Sequence, residues 1–131
     1  MRAYILTLLA IGAAALLPAA PGQAQTNARS RQEVSALLDF VQGSGCLFIR
    51  NGSEYSSADA RQHLQKKREY LENKGLLNSA EDFITRAATG SSMSGKPYKV
   101  RCAGQERPSA EWLGQELARL RALRKRPAIP Y

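Results

Sequence analysis

The sequence predicts a small single domain of the α+β class, with about four helices packed around a two-stranded antiparallel β-ribbon. The chain has 131 residues, of which 44% are hydrophobic and 23% charged. This composition is typical of a folded domain, and the length is too short for two. Four segments have the apolar spacing or the capping residues of helices, and two short segments have the composition or the alternation of strands.

Residues 1–24 have the parts of a cleavable signal peptide. Arg2 is followed by an uncharged run of about fifteen residues, Pro18 interrupts any helix, and the small residues Gly22 and Ala24 precede a cleavage site before Gln25. A transmembrane anchor would need about 20 apolar residues, and this run is shorter. We therefore expect export, removal of residues 1–24, and a mature single domain over residues 25–131.

Export determines what we expect of the two cysteines, Cys46 and Cys102. Outside the cytosol a cysteine pair favours a disulfide over reactive thiols. An internal bridge is the expected state, and two free thiols or a bridge to another chain are the alternatives. Two cysteines and one histidine exclude a Cys-rich zinc module. We expect no metal site and no cofactor.

The first helix is predicted over residues 31–42, after a polar entry segment that we expect to be frayed. Its apolar positions follow the helical spacing i, i+3, i+4 and i+7. They are Val34, Leu37, Leu38 and Val41. Residues 46–50 then form a short predicted strand, which the turn dipeptide Asn51-Gly52 ends.

Two capped helices are predicted next. Ser56 with Asp59, and Ser79 with Asp82, have the spacing at which a hydroxyl accepts a hydrogen bond from the backbone N–H three residues later. The second helix continues to about residue 73 and has a thin apolar face. The third helix ends at Gly90. The residues expected to face inward are Ala60, Leu64 and Leu71 in the second helix, and Ala80, Phe83, Ile84, Ala87 and Ala88 in the third.

The second strand and the last helix complete the domain. Residues 98–102 alternate between polar and apolar side chains, which predicts a strand. If Cys46 and Cys102 are bonded, the two strands are neighbours, most simply as an antiparallel pair. Ser109 is expected to cap a last helix over residues 110–125, whose apolar stripe includes Leu113 and Leu117.

Residues 90–96 match the first part of a phosphate-binding loop, G-x-x-x-x-G-K. That loop requires a strand before it, a helix after it and a hydroxyl residue after the lysine. Here a helix precedes the loop, a strand follows it, and Pro97 takes the hydroxyl position. We therefore reject nucleotide binding. A flexible connection and a concavity of backbone N–H groups that holds an anion remain as alternatives.

His63 is the only histidine, so it is the one candidate base of a serine hydrolase. Ser91, Ser92 or Ser94 would then be the nucleophile. No G-x-S-x-G motif is present, and no paired carboxylates stand out for acid–base chemistry. We predict no catalytic residues and no enzymatic activity, and the hydrolase is kept as an alternative.

Five basic residues lie near the end of the last helix, in a chain of net charge +8. They are Arg119, Arg121, Arg124, Lys125 and Arg126. They either complement the helix dipole in solvent or form a patch for an anionic lipid or polysaccharide. Nucleic acid is excluded as a partner because the aromatic residues do not interleave with the basic ones and because an exported protein is separated from it.

Two short motifs carry a resemblance to a known family. Residues 48–55 spell F-I-R-N-G-S-E-Y, and residues 91–98 spell S-S-M-S-G-K-P-Y. Between them lie Ala58, Ala60, His63, Leu64 and Lys67, followed by Ala80, Glu81, Phe83 and Ile84. Over about residues 34–119 the chain resembles the YfeK-like proteins, small exported proteins of Gram-negative bacteria that carry a domain of unknown function.

The resemblance implies a periplasmic location but no activity, since the family has none established. It singles out eight polar residues in the two motifs and the helix between them: Arg50, Asn51, Tyr55, His63, Lys67, Ser92, Lys96 and Tyr98. We expect them to form one net-positive cluster where the turn after Ile49 and the loop before Tyr98 meet, beside the start of the second helix. A helix N-terminus favours an anionic group.

The predicted function is therefore a non-enzymatic binding or accessory module of the periplasm that does not span the membrane. Its cluster would contact an anionic ligand, an anionic envelope component or another periplasmic protein. A cluster that has no ligand and only fixes the loop is the alternative.

Overall fold

The computed structural model describes residues 10–16 and 22–126. In chain order the elements are α1 (Gly22–Gly43), β1 (Leu47–Arg50), β2 (Ser53–Tyr55), α2 (Ser57–Asn73), α3 (Ala80–Phe83, continued by a π-helical turn over Ile84–Ala88), β3 (Lys99–Cys102), β4 (Gln105–Pro108) and α4 (Ser109–Lys125). The predicted α+β class with four helices is confirmed. None of the helices in these two ranges is long and apolar enough to cross a bilayer.

The sheet has four antiparallel strands in the order β2-β1-β3-β4, so the prediction of a two-stranded ribbon is wrong. The predicted pair is present as the central strands β1 and β3. Each central strand continues through a two-residue turn into an outer strand, at Asn51-Gly52 and at Ala103-Gly104. All four turn residues have positive φ, between 50° and 78°, as tight hairpins of the type I′ class require.

The outer strands were missed because they have no apolar alternation. β2 is the tripeptide Ser53–Tyr55, and β4 consists of Gln105–Pro108, most of whose residues are exposed. Such strands lie at sheet edges, where proline and charged side chains are tolerated and where little hydrophobic burial shapes the sequence. The Asn51-Gly52 dipeptide was the one local signal of a hairpin.

The helices cover one face of the sheet and enclose the core. Phe48 of β1 and Val100 of β3 point to this face and are buried, 8% and 0% exposed. The predicted apolar faces of α1, α2 and α3 are buried as expected, together with Trp112, Leu113 and Leu117 of α4. On the opposite face Arg101 pairs with Glu54 and Glu106.

Helix α1 begins at Gly22, nine residues before the predicted start at residue 31. Once the buried stripe from Val34 has formed the helix, each further residue adds a backbone hydrogen bond without a new nucleation cost. The predicted frayed segment over residues 25–31 is therefore helical. Most of the predicted signal peptide lies outside the described residues, and its cleavage stays a prediction.

Two of the three predicted helix caps are confirmed. The hydroxyls of Ser56 and Ser79 accept hydrogen bonds from the backbone N–H groups of Asp59 and Asp82. Ser109 does not cap α4, because Pro108 occupies the cap position and Ser109 is the first helical residue. Its side chain is buried instead.

The predicted disulfide is present between Cys46 and Cys102. Cys46 lies immediately before β1, and Cys102 is the last residue of β3. The bridge therefore joins the two central strands at one end and closes a loop across a sequence separation of 56 residues. Within the described part of the chain no cysteine is free.

Most of the basic residues at the end of α4 form ion pairs within the domain. Arg121 and Arg124 both contact Glu33 of α1, at 2.9 and 2.7 Å, and Arg121 also contacts Glu81 of α3. Arg119 pairs with the buried Glu116. Hydrogen bonds from Arg121 lower the pKa of Glu33 to about 2, against desolvation. Arg121 and Arg124 therefore tie α4 to α1, and Arg121 also ties it to α3.

We expect Glu33→Gln to destabilise the domain at neutral pH, by on the order of 1–3 kcal/mol, because it leaves Arg121 and Arg124 without this partner. A lowered carboxyl pKa stabilises the fold fully above the unfolded value near 4.5, and this stabilisation is lost as the pH falls towards 2. The difference in the free energy of unfolding between wild type and variant should therefore shrink over this range in urea titrations. Glu69→Gln, at an exposed position without an ion pair, is the control, and an equal effect of both changes would contradict this role of Glu33.

Replacement of Cys46 and Cys102 by serine should lower the free energy of unfolding by up to roughly 4 kcal/mol, because the unfolded chain regains the entropy of an open loop. Urea denaturation of the oxidised protein and of the double variant measures the loss. Reductant should destabilise the wild type by a similar amount and leave the double variant unchanged. Equal stability of the oxidised and reduced wild type would disprove this contribution.

Candidate functional site

Strand register places three of the predicted site residues on the helix-facing side of the sheet. Phe48 pairs with Tyr55 of β2 and with Val100 of β3. Arg50 and Tyr98 lie two residues from Phe48 and Val100, and side chains two residues apart in a strand share a face. Arg50, Tyr55 and Tyr98 therefore all face α2 at one end of the central strands.

Helix α2 carries two further predicted site residues, His63 and Lys67. His63 and Lys67 are four residues apart, so they lie one above the other on the same side of the helix. Ala60, Leu64 and Leu71 bury the adjacent face of α2 in the core. This packing holds His63 and Lys67 half-buried at the boundary between the core and the solvent.

The five side chains form one hydrogen-bonded network. Nη1 of Arg50 lies 2.9 Å from Nδ1 of His63, and Nη2 donates to the Tyr55 hydroxyl at 3.2 Å. Nε2 of His63 lies 3.1 Å from the Tyr98 hydroxyl, which also accepts from the Lys67 ammonium at 3.2 Å. We call Arg50, Tyr55, His63, Lys67 and Tyr98 the cationic network.

The surroundings of His63 favour its neutral form. Burial, then the charges of Arg50 and Lys67, lower its pKa below the usual 6.5. Arginine can only donate hydrogen bonds, so the nitrogen that it contacts must carry a lone pair. We assign the lone pair to Nδ1, which has the shorter contact with Arg50. Nε2–H then donates to the Tyr98 hydroxyl.

Neither of the two cations in the network has a carboxylate partner. Arg50 and Lys67 take part in none of the ion pairs formed among the residues that the structure describes. Burial and the nearby Arg50 lower the pKa of Lys67, and burial raises the pKa of Tyr98. The partners of these cations are phenols, an imidazole and the Gly90 carbonyl, so their charge is not balanced.

Asn51 meets the loop before Tyr98, as expected, but as part of a separate group of hydrogen bonds. Its side chain contacts the hydroxyls of Ser91 and Ser94. The Ser91 hydroxyl also accepts from the N–H groups of Met93 and Ser94, and the N–H of Lys96 donates to Ser94. These loop N–H groups are thus used within the loop, so the alternative of a backbone concavity for an anion is not supported.

The remaining two predicted site residues do not join the cationic network. Ser92 is exposed and lines a shallow cavity that His63 and Lys67 also line. Lys96 is exposed, and its ammonium makes no hydrogen bond or ion pair with any residue in the described ranges. The network lies beside the second and third turns of α2, and so not at the helix N-terminus that we expected.

A cavity of about 240 Å³ adjoins the cationic network between the sheet, α2 and α4. Arg50, Tyr55, His63 and Tyr98 form part of its wall. Its other lining residues, which the sequence did not single out, are Phe48, Ile49, Asp59, Ala60, Gln62, Leu64, Lys66, Ala88, Ser109 and Leu113. Asp59, the one carboxylate among them, forms no ion pair.

Ser109 is the unexpected polar residue of this cavity. Its backbone N–H donates to the Tyr98 carbonyl, which fixes the start of α4 against the end of the central strands. The residue is 4% exposed, and its hydroxyl has no hydrogen-bond partner. A buried polar group without a partner costs about 1–3 kcal/mol. The capping pattern gave Ser109 a different role, and no sequence signal pointed to the cavity.

The arrangement is suited to holding an anion and lacks the parts of a serine hydrolase. Both ring nitrogens of His63 contact Arg50 or Tyr98, and no hydrogen bond joins His63 to a serine among the described residues. A catalytic triad requires a carboxylate that orients the imidazole, and none in the described ranges contacts His63. The described residues also contain no group of three or more His, Cys, Asp or Glu that could hold a metal ion.

Comparison with known proteins identifies relatives but no activity. Residues 28–121 match the model of a family described as "Family of unknown function (DUF5329)". The chain is 35% identical over 85 residues to the "Uncharacterized protein YfeK" of Salmonella typhimurium. The aligned segment covers 64% of this chain and 69% of the relative. The resemblance to the YfeK-like proteins is thereby confirmed. No solved structure is significantly similar to this chain.

We expect the imidazole of His63 to titrate below 6.5 in the folded protein, because burial and two neighbouring cations disfavour its charged form. Because the pKa of this histidine is lower in the folded state, the unfolded chain binds more protons near and below pH 6.5. The free energy of unfolding is therefore unaffected by His63 above pH 6.5 and decreases as the pH falls below it. Since the chain has one histidine, its ring signals in an NMR titration need no assignment.

Lys67→Met should raise the pKa of His63 towards 6.5 by removing one repulsive charge. Lys125→Met, at an exposed position at the end of α4, is the charge-matched control and should leave the titration unchanged. A folded-state pKa at or above that of the urea-unfolded protein would contradict the proposed environment of His63.

Proposed function

Since the chain belongs to the DUF5329 family, whose description names no activity, we propose a function from the site itself: the protein binds a small anionic ligand between Arg50 and Lys67. The binding is non-enzymatic. The ligand carries a carboxylate or phosphate group that contacts the cationic network.

The observation that carries this proposal is the presence of two half-buried cations without a carboxylate partner. Burial of unbalanced charge is unfavourable, and the two cations also repel one another. A bound anion reverses both effects and forms charge-assisted hydrogen bonds, which are about twice as strong as neutral ones. Elsewhere in the domain the partly buried arginines Arg61, Arg68, Arg101 and Arg121 have carboxylate partners, whereas Arg107 contacts the amide oxygen of Gln115.

The network leaves donors available for such a ligand. Arg50 uses one Nη1 and one Nη2 contact for His63 and Tyr55, while a guanidinium has five N–H donors. Lys67 uses two contacts, to Gly90 and Tyr98, out of three donors. The remaining N–H groups belong to the planar guanidinium of Arg50 and to the ammonium of Lys67. Both kinds of donor bind the oxygens of a carboxylate or phosphate.

The eight predicted site residues have different roles in this proposal. Arg50 and Lys67 bind the anion, and Tyr55, His63 and Tyr98 hold the two cations in place. Asn51 fixes the loop over residues 91–96 through Ser91 and Ser94. Ser92 and Lys96 lie outside the network, where Lys96 contributes long-range attraction to an anion.

The proposed location is the periplasm. Two features support it: the signal-peptide pattern over residues 1–24, and the Cys46–Cys102 disulfide, a bond that is rare in the cytosol and common in the periplasm. In this compartment the ligand would be a small anion, either a component of the cell envelope or a solute taken up by the cell. The alternative is that the cationic network binds no ligand and only stabilises the fold.

Calorimetric titration with inorganic phosphate, acetate and benzoate tests the proposal. We expect at least one of these anions to bind, and Arg50→Gln and Lys67→Gln each to weaken its affinity by about tenfold or more, the effect of one lost charge-assisted hydrogen bond. Lys125→Gln removes the same charge at a distant exposed site and should change the affinity little. Binding should also raise the melting temperature of the wild type.

The structural alternative predicts a different result. None of the three anions would bind, and Arg50→Gln would lower only the stability of the domain. Binding that Lys125→Gln weakens as much as Lys67→Gln would also sink the proposal, because it would mean nonspecific attraction to a basic protein. Circular dichroism of each variant establishes that it is folded before its affinity is compared.

A further inference from the structure

We infer that the anion is amphipathic: a carboxylate attached to an apolar body of about one aromatic ring, with the carboxylate on the cationic network and the ring in the adjoining cavity. This inference rests on the proposed anion site and adds to it the class of ligand.

The cavity joins charge to hydrophobic surface. Arg50, His63 and Tyr98 belong both to the cationic network and to the cavity wall. The remaining wall contains the apolar side chains of Phe48, Ile49, Ala60, Leu64, Ala88 and Leu113, together with Tyr55, Asp59, Gln62, Lys66 and Ser109. An inorganic anion would contact only the first part of this wall. A ligand that fills the cavity must therefore have an apolar portion directly next to its charge.

The volume limits the size of the apolar portion. The cavity measures about 240 Å³. A dry cavity of about 150 Å³ can bind a benzene ring, whereas pockets for drug-sized molecules start near 300 Å³. A single ring with its carboxylate fits between these limits. At about 150 Å³ per ring, a second ring would extend out of this volume.

Two tyrosines of the cavity wall, Tyr55 and Tyr98, also contact the two cations. The guanidinium of Arg50 lies over the Tyr55 ring, with Cζ 4.9 Å from the ring centroid. The Lys67 ammonium lies 5.0 Å from the centroid of the Tyr98 ring. Tyr55 and Tyr98 thus hold the two cations by cation–π contacts, and the faces and edges of these rings offer further contact to an aromatic carboxylate.

The experiment compares the affinity of the wild-type protein for four probes: acetate, inorganic phosphate, benzoate and biphenyl-4-carboxylate. We expect benzoate to bind about tenfold or more tightly than acetate, because its ring removes apolar surface from water. Biphenyl-4-carboxylate should gain little affinity over benzoate, because its second ring would extend beyond the cavity. The heat-capacity change of benzoate binding should be negative. No variant is needed, so no loss of folding can obscure this result.

A filled cavity sharpens the test. Ala60→Met places a longer side chain in the cavity wall, so it should weaken benzoate binding by about tenfold and weaken acetate binding less. An equal loss for both anions would contradict the placement of the ring in this cavity.

The outcomes separate this inference from the proposed function. Binding of phosphate or acetate with the same or higher affinity than benzoate would overturn the amphipathic ligand but retain the anion site. Binding of benzoate that is insensitive to Arg50→Gln and Lys67→Gln would overturn the anion site. Failure of all four probes to bind would overturn both.

Discussion

The pairing of β1 with β3 is the constraint on which the candidate site depends. The antiparallel register that joins Phe48 to Val100 also brings Arg50 next to Tyr98, and the disulfide between Cys46 and Cys102 joins the same two strands at their other end. A shift of one residue in this register would turn one of the two strands over. Arg50 and Tyr98 would then face opposite sides of the sheet, and the cationic network could not form.

The distribution of ion pairs distinguishes the network from the rest of a basic protein. Arg121 and Arg101 each contact two carboxylates, and these pairs tie helices together or cover the outer face of the sheet. Arg50 and Lys67 contact neutral groups instead. The total charge of +8 is therefore less informative about a ligand than these two positions. Among the described residues neither cation has a carboxylate partner, and the proposed anion would take that place.

Sequence patterns predicted the central elements better than the edges. The four helices, the two central strands and the caps at Ser56 and Ser79 follow from apolar spacing and from side chains that satisfy nearby backbone groups. The outer strands did not follow, since an exposed edge strand needs no apolar alternation. Serine is a common N-cap residue, so Ser109 was predicted to cap α4. The packing of α4 against Tyr98 places Ser109 in the wall of a cavity instead.

The sequence by itself determined where the four helices lie, apart from the first turns of α1, and which two cysteines are available to bond, because these properties depend on residues close together in the chain or on residue type alone. It also identified eight polar residues of interest through their motifs. Only the tertiary structure decided that five of them meet, that Lys96 and Ser92 stay outside, and that Glu33 neutralises Arg121 and Arg124. The physical reason is that contacts between distant polar side chains depend on strand register and helix packing. Apolar periodicity determines which face is buried, but it does not specify which polar groups the burial brings together.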